Sequence, residues 1–155
     1  LVVSGNKRLA SDYIEGLNIL SSMRMCANVP CQSAIQTALG GYQSIDDLVK
    51  ENGRLRIQRD VTTDMLNGID GISCVKPKGA MYCFAKVDEK KFNIQNDEQM
   101  VLDLLSSEKI LLVHGRAFNL TEGTYFRLVF LPHSDVLVPA LHRIGNFFRT
   151  YKQGA

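Results

Sequence analysis

The sequence is short of charge of one sign: 18 Lys and Arg face 16 Asp and Glu, a formal net of +2. So small an excess leaves no basic footprint for nucleic acid, and the strand segments carry no interleaved basic residues for a single strand to stack along. Apolar runs are short as well, none approaching the roughly 18–20 residues of a membrane-spanning helix. A secretory leader is missing, because Leu1-Val2-Val3 gives way at once to Ser4-Gly5-Asn6-Lys7. Neither nucleic acid nor membrane is therefore expected as a partner, and a cytoplasmic location is. Cys26, Cys31, Cys74 and Cys83 lack the C-x-x-C spacing of zinc and redox sites and are too sparse for a disulfide scaffold. They read as reduced thiols packed as small hydrophobes, with one bridge among them as the alternative. His114, His133 and His142 show neither helical i,i+4 pairing nor an attendant carboxylate cluster, so no metal is expected.

What is present fits one ordinary core. The chain has 155 residues, 45% hydrophobic and 22% charged; a chain of this size buries roughly 70% of its unfolded surface without staples. Ser11 is placed to cap a helix in which Ile14, Leu17, Leu20 and Met23 recur at helical spacing as far as Met25. Pro30 opens a second helix that Gly40-Gly41 ends. A third runs over 44–66, past a weak point at Gly53, with Arg56 and Asp60 as an i,i+4 pair, and stops at Asn67-Gly68.

The pattern then changes period. Strands are predicted at 72–75, 81–87, 110–113 and 125–130, the second with Met81, Cys83, Ala85 and Val87 on one face and Tyr82 and Phe84 on the other. Asp97 is read as the cap of a helix carrying Val101, Leu104 and Leu105. A last helix opens at Ser134 or Asp135 and aligns Leu137, Leu141, Ile144, Phe148 and Tyr151, with Pro139 in its early turns. Leu1-Val2-Val3 reads as a strand already under way. A helical block followed by a small sheet with flanking helices predicts an α+β fold rather than a doubly wound one.

Few residues carry a chemical signal. Ser4 and Lys7 fit S-x-x-K, but the S-D-N and K-T-G partners of that constellation are absent, and Lys7 reads as a solvated turn lysine. Gly79 and Gly115 stand at strand edges, where backbone can approach a ligand and where turn geometry alone also suffices. Arg127 is the residue that needs a reason. It lies within Tyr125-Phe126-Arg127-Leu128-Val129-Phe130, where a guanidinium calls for an exposed sheet face, a structural carboxylate or an anionic ligand. Its planar fork matches a carboxylate with two parallel charge-assisted bonds.

Three segments occur in order: Val75-Lys76-Pro77-Lys78-Gly79-Ala80-Met81-Tyr82, Val113-His114-Gly115-Arg116-Ala117-Phe118-Asn119 and Phe126-Arg127-Leu128-Val129-Phe130-Leu131-Pro132. Together they resemble the C-terminal part of class I/II pyridoxal-phosphate aminotransferases of fold type I. Met23-Arg24-Met25-Cys26-Ala27-Asn28-Val29-Pro30 and Ala34-Ile35-Gln36-Thr37-Ala38-Leu39-Gly40-Gly41-Tyr42 look most like the bacterial glutamate–pyruvate (alanine) aminotransferases.

The resemblance spans the whole chain. It implies residues 1–43 as the end of a large cofactor domain and 44–155 as the small C-terminal domain. It further implies a homodimer when intact, amino-acid and 2-oxo-acid substrates, and pyridoxal phosphate as cofactor. The lysine that forms the Schiff base would lie upstream of Leu1, so no catalytic residue is expected here and this chain alone is expected to be inactive. Arg127 matches the arginine that binds the substrate α-carboxylate. Gly79 to Tyr82 and Gly115 to Phe118 match strand-edge segments near the substrate entrance, and no role in substrate choice carries over to His114 or Arg116. The competing reading is a free-standing α+β module that holds a carboxylate metabolite through Arg127; it would bury the helical lead-in within the chain.

Overall fold

The computed structural model describes residues 8–154; Leu1-Val2-Val3, Ser4 and Lys7, singled out in the sequence, lie outside them. The chain divides between Gln43 and Ser44 into two compact units.

The first unit holds α1 (Ser11–Met23) and α2 (Val29–Gly40). Ser11 does not cap α1. Ala10 takes that position without a side-chain bond, and the Ser11 hydroxyl donates instead to Asp12. The helix also stops two residues short of Met25, whose φ of 61° is left-handed and cannot continue it. In α2, Asn28 caps by accepting from the Cys31 N–H and Pro30 sits in the first turn as expected. Neither helix buries any residue. Cys26 and Cys31 are exposed, contrary to the expectation that all four thiols pack as hydrophobes.

The second unit is a four-stranded antiparallel sheet with its helices packed on one face. Its strands are β1 (Ile72–Cys74), β2 (Tyr82–Val87), β3 (Val113–His114) and β4 (Thr124–Val129), in the order β1-β2-β4-β3. The α+β expectation holds. Two helices, α3 (Ser44–Val49) and α4 (Arg54–Asn67), replace the single one read over 44–66. Gly53 is the break, not a weak point: a Cβ there would meet the Leu48 carbonyl oxygen at 2.4 Å. The chain turns this tightly because glycine leaves room for it. Asp60 pairs with Arg59 and Lys76, at 2.8 and 3.2 Å, rather than with Arg56.

A short helix, α5 (Glu89–Phe92), went unread because one turn is too brief for a period, though Asp88 caps it clearly. Then come α6 (Asp97–Glu108) and α7 (Ser134–Thr150), which runs through Pro139. The expected strand over 110–113 shrinks to two residues, and β4 begins and ends one residue earlier than read. The first strand ends at Cys74 and the second begins at Tyr82, where pairing with Val129 starts.

The alternation read in the sequence sets the layers. Cys83, Ala85, Val87, Phe126 and Leu128 face the helices, where Leu66, Met100, Leu104, Leu141, Ile144 and Phe148 close the core. Phe148 packs its ring on Phe126 and Phe92 at centroid distances of 6.1 and 5.1 Å. Cys74 and Cys83 are buried free thiols. The neighbouring Cys83 brings the Cys74 thiol down to about 7, while Cys74 and burial push the Cys83 thiol up. At the end of α4, the Asn67 side chain accepts from the Cys74 N–H at 2.8 Å and donates to its carbonyl at 2.9 Å, tying the helix to β1.

Gly71 precedes β1 with φ of 92°, and a Cβ there would meet the Phe92 ring at 2.6 Å. Gly71→Ala should cost about 2 kcal/mol, from the left-handed backbone and the overpacked ring together. The check is a lower urea midpoint with an unchanged slope.

Candidate functional site

Opposite the core, the other face of the sheet gathers aromatic side chains around one cation. Register places Arg127 across from Phe84 on one side and Val113 on the other, with Tyr82 against Val129. Period-two alternation then puts Tyr82, Phe84, Tyr125 and Arg127 on this outer face. After β3 the chain makes a one-turn 3₁₀ helix, Gly115–Phe118, which brings the Phe118 ring over the same face. Gly115 permits the close approach: a Cβ there would lie 3.1 Å from Tyr125 Cβ.

The Arg127 guanidinium carbon sits 4.5 Å from the centroid of Phe118 and 4.7 Å from that of Tyr82. Phe84 supports the arrangement, stacking on Tyr125 at 5.2 Å and meeting Phe118 edge-on at 5.9 Å. Two rings this close hold the guanidinium in place at low cost, since a guanidinium is weakly hydrated and attracted to π faces. Its Nε is buried with no hydrogen-bond partner, and no carboxylate pairs with Arg127 among the described residues. The structural-carboxylate explanation of this arginine therefore falls. What remains is a fixed cation with unused donors, and a carboxylate is the group that matches such a fork in charge and shape.

The candidates from the sequence do not all converge. Tyr82 touches Arg127, and Gly115 starts the turn that carries Phe118. Gly79 is elsewhere, with no atom within 4 Å of where its Cβ would stand, in a cleft with Ile45, Leu55, Arg59 and Phe130. Phe118, set near the substrate entrance by the resemblance, is the ring that closes on Arg127, and periodicity alone does not say that this turn folds back over the strand.

Asp97 was misread. Asn96 caps α6, accepting from the N–H groups of Glu98 and Gln99, while Asp97 points inward with its side chain only 3% exposed. Its Oδ2 accepts from the Arg116 backbone N–H at 3.0 Å. Among the described residues no group of three His, Cys, Asp or Glu side chains is placed to hold a metal, and no helix is long and apolar enough to cross a membrane.

Comparison with known proteins puts this geometry in context. The chain is 54% identical over 153 residues to a glutamate-pyruvate aminotransferase of Haemophilus influenzae, covering 99% of this chain and 38% of that protein. It is 52% identical to an alanine aminotransferase of Mycobacterium tuberculosis, covering 99% of this chain and 36% of that one. Among solved structures, an aminotransferase from Escherichia coli superposes with a TM-score of 0.85 at 52% identity, covering 98% of this chain and 38% of that chain. The chain thus spans well under half the length of these relatives. The family model for aminotransferase class I and II matches residues 2–144, and the chain belongs to that family.

Proposed function

We propose that this chain is the substrate-carboxylate-binding part of an aminotransferase that moves an amino group from glutamate to pyruvate, giving 2-oxoglutarate and alanine. The observation that carries it is Arg127: a guanidinium packed against the rings of Phe118 and Tyr82, with a buried donor that nothing among the described residues uses. The donor and acceptor are suggested by the activity of the Haemophilus influenzae relative, a glutamate-pyruvate aminotransferase, and by the alanine aminotransferase of Mycobacterium tuberculosis.

Arg127 would hold the α-carboxylate of either substrate and so fix the direction of the bond at the α-carbon that must break. It positions and does not transfer a proton, because a guanidinium stays charged throughout. Tyr82 and Phe118 would keep water from the fork and hold it in place. Pyridoxal phosphate, which the family uses, supplies the electron sink for breaking that bond. The residues around Arg127 do not fit that group. One guanidinium between two rings offers neither the lysine amine nor the converging donors a phosphorylated cofactor requires, and those belong, in this reading, to the remainder of the relatives' length. The intact protein is read as a homodimer.

The test is direct. The full-length protein carrying this segment, supplied with pyridoxal phosphate, glutamate and pyruvate, should release alanine and 2-oxoglutarate in equal amounts. No alanine from any of the common amino-acid donors would overturn the reading.

A further inference from the structure

We infer that Asp97 is a positioning residue for the Arg127 site, acting through the turn that carries Phe118; this rests on the carboxylate-binding reading of Arg127. Asp97 lies on the core side of the sheet and Arg127 on the outer side, so the two never meet. They are joined through three residues, Arg116, Ala117 and Phe118. Asp97 Oδ2 accepts from the Arg116 N–H at 3.0 Å, and Arg116 is the second residue of the 3₁₀ turn Gly115–Phe118. The Phe118 ring at the end of that turn stands 4.5 Å from the Arg127 guanidinium carbon.

The anchor is firm at its other end. Asp97 opens α6, whose start is pinned by Gln153: the Gln153 side chain accepts from the Asn96 N–H at 2.8 Å and donates to the Asn96 carbonyl at 2.7 Å. A buried carboxyl group this close to a backbone donor fixes the turn in place, since breaking that bond would leave the group without a partner. Two cationic or titratable groups frame it. His114 Nδ1 lies 3.6 Å from Oδ2 and Arg116 Nε 3.6 Å from Oδ1, both beyond hydrogen-bonding distance. Asp97 thus meets the turn twice at Arg116, through an ion pair to its side chain and through the backbone N–H, and only the backbone contact is of hydrogen-bonding length.

The experiment compares two donors in the full-length protein: alanine, and ethylamine, which lacks the carboxylate, each by single-turnover kinetics. Asp97→Ala should lower kcat/KM for alanine about tenfold, mostly through KM, and leave the ethylamine rate within about twofold. Asp97→Asn keeps an oxygen for the Arg116 N–H and should restore alanine to within about threefold of the parent. Equal losses with both donors would mean a merely structural role and overturn the inference. So would an unaffected Asp97→Ala when Arg127→Ala is impaired, and this result would leave the Arg127 reading standing. If Arg127→Ala itself has no effect on alanine, the Arg127 reading fails and takes this one with it. Should Asp97→Ala not fold, Gly115→Ala, which pushes the same turn off Tyr125, decides: a loss confined to alanine supports the inference, and any other result overturns it.

Discussion

Replacing Arg127 by alanine in the full-length aminotransferase is expected to lower kcat/KM for amino-acid donors by at least about 100-fold. A carboxylate on this fork would receive two charge-assisted hydrogen bonds, each worth roughly 1.5–3 kcal/mol, and about 1.4 kcal/mol is a factor of ten in rate. Arg127→Lys should recover no more than about tenfold. Lysine keeps the charge but offers a point where the site holds a planar fork against Phe118 and Tyr82, so orientation is lost even when attraction is not. The folded state should tolerate both changes, because Arg127 is bound to no acidic group within the described residues. Steady-state kinetics with far-ultraviolet circular dichroism as the folding control checks both points. A kcat/KM within threefold of the parent would remove Arg127 from the site.

The second large effect concerns the other side of the same strand. Phe126, one residue before Arg127, has no exposed surface and packs on Phe148. Phe126→Ala should destabilise the domain by about 3–5 kcal/mol, combining lost burial with the cavity left between β4 and α7. Natural domains are stable by only about 5–15 kcal/mol, so the loss would take up much of that margin. The measurement is the urea midpoint of the 155-residue chain. A shift equivalent to less than 1 kcal/mol would mean that the helices collapse onto the sheet more readily than their packing suggests. The two variants also separate cleanly: one removes binding and leaves folding, while the other removes folding and binding together.

The sheet was legible in the sequence because alternation has only two outcomes. Cys83, Ala85 and Val87 against Tyr82 and Phe84 assigned both faces of β2 at once, and the structure buries the first set. Arg127 was legible for the same reason: a charge at an alternating position in an apolar strand must face outward or find a partner. Helix ends were less legible, because Ser11 and Asp97 have the chemistry of caps whether or not they serve as caps. At Asp97 the error hid the informative fact, since its neighbour Asn96 satisfies the helix and frees Asp97 to reach the 3₁₀ turn. Phe118 was legible only through the family resemblance, which set its segment near the substrate entrance. Its place over Arg127 depends on a tertiary approach that Gly115 permits but that no periodicity encodes.

The amide of Asn67 also bears on how this protein can associate. A strand at the end of a sheet presents donors and acceptors that an incoming strand can use, which is how many domains recruit extended peptides or aggregate. Cys74 has spent both of its outward backbone groups on the Asn67 side chain. The amide stands in for one residue of a neighbouring strand and stops the ladder there. A strand adding at the β1 edge would first have to displace that amide, so pairing through this edge of the sheet carries a built-in cost.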